Sequence, residues 1–311
     1  MPSTDDRLAA VLVEPQLTRF RHVFGLDGVE LAVTFEGWHR YAIISPDRVF
    51  LIPRSHVWVD GMSREAQLLG SLTGVLAPRL IGQWHDPDIS PYRVTVLARL
   101  PGETWSHHEQ DATLDQLIAL MTQLGKAIAA WHAVDPTRLA LQTLPEQTHF
   151  LELMRPETLG ATATRVAAAA GIDAARIPVW LRVLGPLVDL EPVLVHGDIN
   201  EGQILLDSSA VLTGILDWES AGLCHPLKDF DFGEWGRALW DWQPQFGDLR
   251  HVLWDAYANA RGVDLPPWEA IHLFFTLIEF PLGLLASDWD RQRRQTSIAA
   301  LNAIDLVCDQ S

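Results

Sequence analysis

The chain has 311 residues, 48% hydrophobic and 20% charged, the balance of a globular protein with material for about two ordinary domains. The 40 acidic residues against 23 Lys plus Arg give a net charge of −17, which repels phosphate backbones, speaks against nucleic acid as a partner and favours cationic small molecules. Cys224 and Cys308 have neither metal-ligand spacing nor a disulfide framework, and Met1-Pro2-Ser3-Thr4-Asp5-Asp6 carries acid where a secretory signal carries base. The apolar stretch 273–286 is broken by Glu279 and Pro281, so no membrane span is expected and the cytoplasm is the expected compartment.

The first hundred residues read as β-rich. Strands are expected over 29–35 and 41–45, flanking the polar segment Glu36-Gly37-Trp38-His39-Arg40, with a third over 49–52 after the turn Ser45-Pro46-Asp47. The periodicity turns helical over 63–72 and returns to strand over 92–100, ending at Pro101-Gly102. Thr113-Leu114-Asp115-Gln116 has the capping-box pattern, and Leu114, Leu117, Ile118, Met121, Leu124, Ile128 and Trp131 continue as a helical stripe whose default meaning is core packing. Further helices are expected over 162–170 and 248–261, stopped by Gly171 and Gly262, and from Trp268 to the break at Pro281. No internal repeat is present. The change of character places a domain boundary at 101/102, dividing the chain into 1–101 and 102–311.

Inside the helical half lies one β-rich island. Val193-Leu194-Val195 runs into His196-Gly197-Asp198, and the apolar runs 203–206 and 211–216, joined by Asp207-Ser208-Ser209-Ala210, read as a hairpin. Asp198 precedes the hairpin and Asp217 ends its second strand, so two carboxylates arrive at the same end. Phosphoryl transfer asks for such an arrangement: a carboxylate to orient the attacking hydroxyl, oxygen ligands for magnesium and a cradle for the phosphates. Protein kinases supply these from a His-Arg-Asp loop, an Asn five residues after that Asp, and an Asp on a later strand; here the matching elements are His196-Gly197-Asp198, Gln203 and Asp217.

His196-Gly197-Asp198-Ile199-Asn200-Glu201-Gly202-Gln203-Ile204-Leu205-Leu206, followed by Gly214-Ile215-Leu216-Asp217-Trp218-Glu219 and by Pro226-Leu227-Lys228-Asp229, resembles the aminoglycoside and macrolide phosphotransferase family, small-molecule kinases with a protein-kinase-like fold. The similarity extends to Glu36-Gly37-Trp38 at the position of the phosphate loop, Arg64-Glu65-Ala66 on the ion-pairing helix, and Leu100-Pro101-Gly102-Glu103 at the hinge. The resemblance implies an α+β, two-lobed fold, with an N-terminal antiparallel sheet and one helix joined to a larger, mostly helical C-terminal lobe. It implies Mg²⁺-dependent transfer of the γ-phosphate of ATP or GTP to a hydroxyl of a small, cationic antibiotic. Asp198 would be the catalytic base and His196 would shape its loop. Asp217 and Gln203 would hold the metal, and Asp229 would brace the loop. Gly37, Arg54, Glu65, Ala98 and Leu100 would serve the nucleotide, with Glu65 paired to a base on the third strand.

The sequence departs from the family pattern at two places. Gln203 stands where the family has Asn, a position at which macrolide-modifying members also depart from Asn, with Asn200 as an alternative. Leu51 stands at the third-strand Lys or Arg, with Arg54 three positions on. Three other functions fit the same residues: a metabolite kinase for choline, homoserine or a sugar; a nucleotide-binding protein with weak catalysis; and a metal hydrolase using His196, Asp198 and Asp217. Glu219, Asp231 and Glu234 are substrate-facing acids or surface charges. Trp235, Trp240 and Trp242 suit packing better than a ligand face, and His107-His108 an exposed loop. Oligomeric state is not legible.

Overall fold

β-Branched and aromatic residues on either side of tight turns build the main sheet. The computed structural model describes residues 8, 10–34, 39–107, 112–139, 143–230, 249–283 and 288–304. They divide into two compact units, one drawn from 1–116, 135–141 and 198–221, the other from 117–134, 142–197 and 222–311.

In the first unit, α1 (Gln16–Phe24) closes on Gly25, whose φ of 64° supplies the left-handed C-terminal turn. The strands β1 (Ala32–Thr34), β2 (Arg40–Ile44), β3 (Arg48–Pro53), β4 (Leu80–Trp84) and β5 (Val94–Ala98) pair in the order β1-β2-β3-β5-β4, antiparallel throughout. Between β3 and β4 runs α2 (Val59–Ser71). The register pairs Ile43 with Phe50 and Phe50 with Val96, and these residues share one face. Phe20 and Phe24 of α1 close over it, with ring centroids 5.0 and 4.8 Å from Phe50. Ala42, Leu51 and Thr95 pair on the other face. Sequence reading missed α1 and β4, and the strand expected over 92–100 is shorter, Val94–Ala98.

A second, three-stranded sheet completes this unit: β6 (Glu103–Thr104), β8 (Ile204–Leu206) and β9 (Leu212–Ile215), in the order β6-β8-β9. The segment leaving β5 reaches it through Gly102, which has a φ of 104° and no room for a Cβ against the Leu206 carbonyl and the Thr213 hydroxyl. Thr213 Oγ1 donates to the Pro101 carbonyl at 2.6 Å, and the Ile215 N–H donates to the Leu76 carbonyl at 2.7 Å. The hairpin is thereby tied both to the segment after β5 and to the turn after α2.

The second unit is mostly helical. It contains α3 (Leu114–His132) from Leu117 onward, α4 (Pro145–Leu153), α5 (Pro156–Ala170), α6 (Ile177–Val188), α7 (Arg250–Arg261), α8 (Trp268–Ile278) and α9 (Asp288–Ala303). β7 (Val193–Val195) pairs antiparallel with β10 (Gly222–Cys224). The capping box forms at the start of α3: Gln116 Oε1 accepts from the Thr113 N–H (2.9 Å), and Thr113 Oγ1 accepts from the Gln116 N–H (3.3 Å). Among the described residues, no helix is long and apolar enough to cross a membrane.

Candidate active site

At the open end of the hairpin, beyond the pair Ile204–Ile215, the Leu216 N–H donates to the Gln203 carbonyl at 2.9 Å. Asp217 follows Leu216, and the loop from Asp198 to Gln203 leads into β8. Both acidic positions therefore reach this end, as the pattern required. Gln203 is buried, and its side chain spans the loop: Oε1 accepts from the Asn200 N–H (3.2 Å) while Nε2 donates to Asp198 Oδ2 (3.1 Å). Asn200 turns its own amide oxygen onto the Gly202 N–H (3.0 Å), so Gln203 is the residue that faces Asp198. The Asp198 carboxylate is exposed and directed by this bond.

Asp217 adopts φ 65° and ψ 64°, a left-handed conformation that Asp tolerates better than most side chains. Its Oδ1 accepts from Nη2 of Arg40, whose Nη1 donates to Oε2 of Glu65. Glu65, on α2 and 5% exposed, accepts the Trp218 N–H on its other oxygen at 3.1 Å. One buried carboxylate thus holds both the cation and the backbone next to Asp217. Glu219 lies 3.8 Å from Arg40 Nη1 and hydrogen-bonds Nδ1 of His39, whose ring stacks on Trp58 with centroids 3.7 Å apart.

This pairing overturns the expectation of a base on the third strand. Leu51 is buried on the face it shares with Ala42, whereas Arg40 sits on β2 opposite Pro53. Arg54 follows β3, and its guanidinium lies 4.7 Å over the ring of Tyr41, a residue whose side chain alternates with that of Arg40. Arg40, His39 and Trp58 were missed as site residues. The signal available was a base beginning an otherwise apolar strand, beside the polar segment already suspected of serving phosphates.

Burial works against the Arg40 charge, but Glu65, Asp217 and Glu219 outweigh it and raise its pKa above the ordinary arginine value. Burial pushes the Glu65 carboxyl up, and Arg40 offsets this in part. One guanidinium among three carboxylates leaves about two negative charges when all are ionised. Hard oxygen donors with that excess suit a divalent cation such as Mg²⁺, which takes one or two carboxylates and completes its shell with phosphate oxygens and water. Among the described residues, no group of three or more His, Cys, Asp or Glu side chains could itself hold a metal ion.

Within the second unit, Asp229 is buried at the centre of four donors. Its Oδ2 accepts from Trp131 Nε1 (2.7 Å), His132 Nε2 (3.1 Å) and the His196 N–H (2.9 Å), and its Oδ1 accepts from the Gly197 N–H (2.8 Å). Burial alone would push its carboxyl up; the His132 hydrogen bond, the electrostatic influence of the neighbouring imidazoles and the Gly197 amide outweigh it, and the pKa falls below the ordinary carboxylate value. Burial lowers the His132 pKa, and while its Nε2 meets Asp229 its Nδ1 lies 3.0 Å from the Tyr257 hydroxyl. Gly197 has a φ of 86°, and Asp198 is the next residue in the chain. His196 is fully buried.

Of the remaining expected residues, Ala98 ends β5 paired with Arg48, and Leu100 packs where a Cβ on Gly214 would stand. Gly37, Asp231, Glu234, Trp235, Trp240, Trp242 and His108 lie outside the described residues.

Residues 36–272 match the model of the APH phosphotransferase enzyme family. The chain belongs to that family. Its fold is the protein-kinase-like one of that family's solved members. The GDP and kanamycin complex of APH(2")-IIia aligns with a TM-score of 0.55 at 19% identity, covering 93% of this chain and 98% of that one. The apoenzyme of macrolide 2'-phosphotransferase MphH from Brachybacterium faecium gives a TM-score of 0.52 at 20% identity, covering 92% and 98%. A Bacillus subtilis protein, YcbJ, described as uncharacterized, is 25% identical over 116 residues, 37% of this chain and 35% of its own length. The chain thus matches about a third of that curated relative.

Proposed function

We propose that this phosphotransferase-family member is a Mg²⁺-dependent small-molecule kinase that transfers the γ-phosphoryl group of ATP or GTP to a hydroxyl of a cationic antibiotic, an aminoglycoside or a macrolide amine. The observation that carries the reading is the open end of the hairpin. There Asp217, tied to Glu65 through Arg40, and Asp198, directed by Gln203, are delivered together. Of the solved relatives cited above, one is a macrolide 2'-phosphotransferase and the other a GDP and kanamycin complex, and the net charge of −17 favours a cationic acceptor.

In this mechanism Asp198 accepts a hydrogen bond from the acceptor hydroxyl and aligns it for in-line attack on the γ-phosphorus. A new O–P bond forms as the bond to the β,γ-bridging oxygen breaks, the hydroxyl proton passes to Asp198, and the nucleoside diphosphate leaves. Asp217, with the second lone pair of the Gln203 amide oxygen, would hold Mg²⁺, which when bound neutralises charge on the phosphate oxygens. Gln203 keeps Asp198 turned toward the acceptor.

The test is a phosphotransfer assay with Mg²⁺ and either ATP or GTP against aminoglycosides, macrolides, choline and simple sugars. Asp198→Ala is expected to lower turnover by about 10²- to 10⁴-fold with nucleotide affinity retained. A fully active Asp198→Ala protein would overturn the mechanism. Transfer to choline or a sugar, and to no antibiotic, would move the protein to the metabolite kinases.

A further inference from the structure

The family reading of this site leaves a position unfilled: Leu51 is an apolar side chain on the third strand where a cation is expected. The β2–β3 register pairs Ala42 with Leu51 and Arg40 with Pro53, so Arg40 projects from the same sheet face as Leu51, one strand over and one pair along. The first unit contains no lysine, since the two lysines of the chain, Lys126 and Lys228, both belong to the second. Arg40 has a side chain only 12% exposed, bonded to Glu65 on one arm of its fork and to Asp217 on the other. The Glu65 contact anchors the guanidinium to α2, and the Asp217 contact brings it to the acidic end of the hairpin.

We propose that Arg40 is the triphosphate-binding cation of this protein, relocated from the third strand to the second, with Leu51 filling the vacated place. The proposal rests on the phosphotransferase reading above. Three features support it. The guanidinium cannot lose its charge, and the surrounding carboxylates hold that charge in a buried place. Its five N–H donors exceed the two used by Glu65 and Asp217, which leaves donors for phosphate oxygens in the bidentate geometry arginine favours. A bridge serving the fold alone would be complete with Glu65, which already fixes Trp218; the arm on Asp217 adds a cation where the triphosphate is proposed to bind.

The experiment measures binding rather than turnover. Wild-type protein and Arg40→Met are titrated calorimetrically with ATP and GTP, and with adenosine and guanosine, in Mg²⁺ buffer, alongside a thermal melt. Arg40→Met is expected to weaken triphosphate binding by about 10- to 100-fold while nucleoside binding stays within about twofold. Should Arg40→Met not fold, Arg40→Met/Leu51→Lys returns a cation to the same sheet face and is expected to bind triphosphate again. Unchanged triphosphate affinity in Arg40→Met overturns the relocation and leaves the phosphotransferase reading standing. An equal loss for nucleoside and triphosphate, or a folded double variant that binds nucleoside alone, also overturns it. A wild-type protein that binds no triphosphate overturns the parent reading itself.

Discussion

Asp217 combines two demands at one position. Its carboxylate meets Arg40, and its backbone takes a left-handed conformation at φ 65°. The two separate by substitution. Asn tolerates that backbone, whereas Val, branched at Cβ, adds strain of about 1–2 kcal/mol. Asp217→Asn and Asp217→Val both remove the charge and are expected to lose Mg²⁺-nucleotide binding alike, but only Val should show the added loss in urea unfolding. Equal stabilities would show that the backbone at this position is not strained. The carboxylates were legible because phosphoryl transfer constrains both their type and their spacing. Arg40 was not, because a sheet lets neighbouring strands offer a side chain to the same place, and one sequence does not reveal which strand does so.

Among the elements, α3 and α7 approach closely at one glycine. Gly125 faces the Leu253 carbonyl, with Ala256 Cβ and the Tyr257 nitrogen each 3.0 Å from where a Cβ would sit. In an open helix Gly→Ala stabilises by about 1 kcal/mol. Here Gly125→Ala is expected to destabilise by about 1–3 kcal/mol, because the obstacle is largely backbone and the helices must separate. Denaturant unfolding checks the sign, and a stabilised variant would show that α7 yields at little cost. The stripe on α3 was legible in the sequence and packs as read: Leu117, Met121, Leu124, Ile128 and Trp131 are buried, while Leu114 and Ile118 stay exposed near its start. The glycine within it gave no sign of a close neighbour, since helical periodicity records which face is covered and not how near the covering chain comes. α1 and β4 escaped for a related reason: α1 has just two buried residues, Phe20 and Phe24, and β4 is half exposed, so neither shows a strong period.

For the molecule as a whole, buried neutral imidazoles set the response to acid. Burial pushes His225 down to about 4 from its ordinary 6.5, and His132 is lowered by the same cause. The unfolded chain takes up these protons near pH 6.5 and the folded protein resists, so stability is full above that pH and falls as the pH drops. For His225 the fall between pH 6.5 and about 4 is on the order of 3 kcal/mol. Asp229, held ionised by its four donors, adds a further loss below the ordinary carboxylate range. Urea unfolding at stepped pH should show this decline, and His225→Gln should flatten its upper part; an unchanged slope would rule out His225 as a source. At this scale the family architecture was readable from motif order alone. The recruitment of 198–221 into the same compact unit as the first sheet was not, because it depends on contacts of Gly102, Thr213 and Leu76 that are far apart in the chain.

Leu51 and Arg40 together also decide which reagents can mark this site. With no lysine among residues 1–116, 135–141 and 198–221, nucleotide analogues bearing aldehydes or activated esters find no side-chain amine there to modify. Dicarbonyl reagents, which condense with guanidinium groups, are the matching chemistry, and inhibitors tethered through a third-strand amine would pass this protein by.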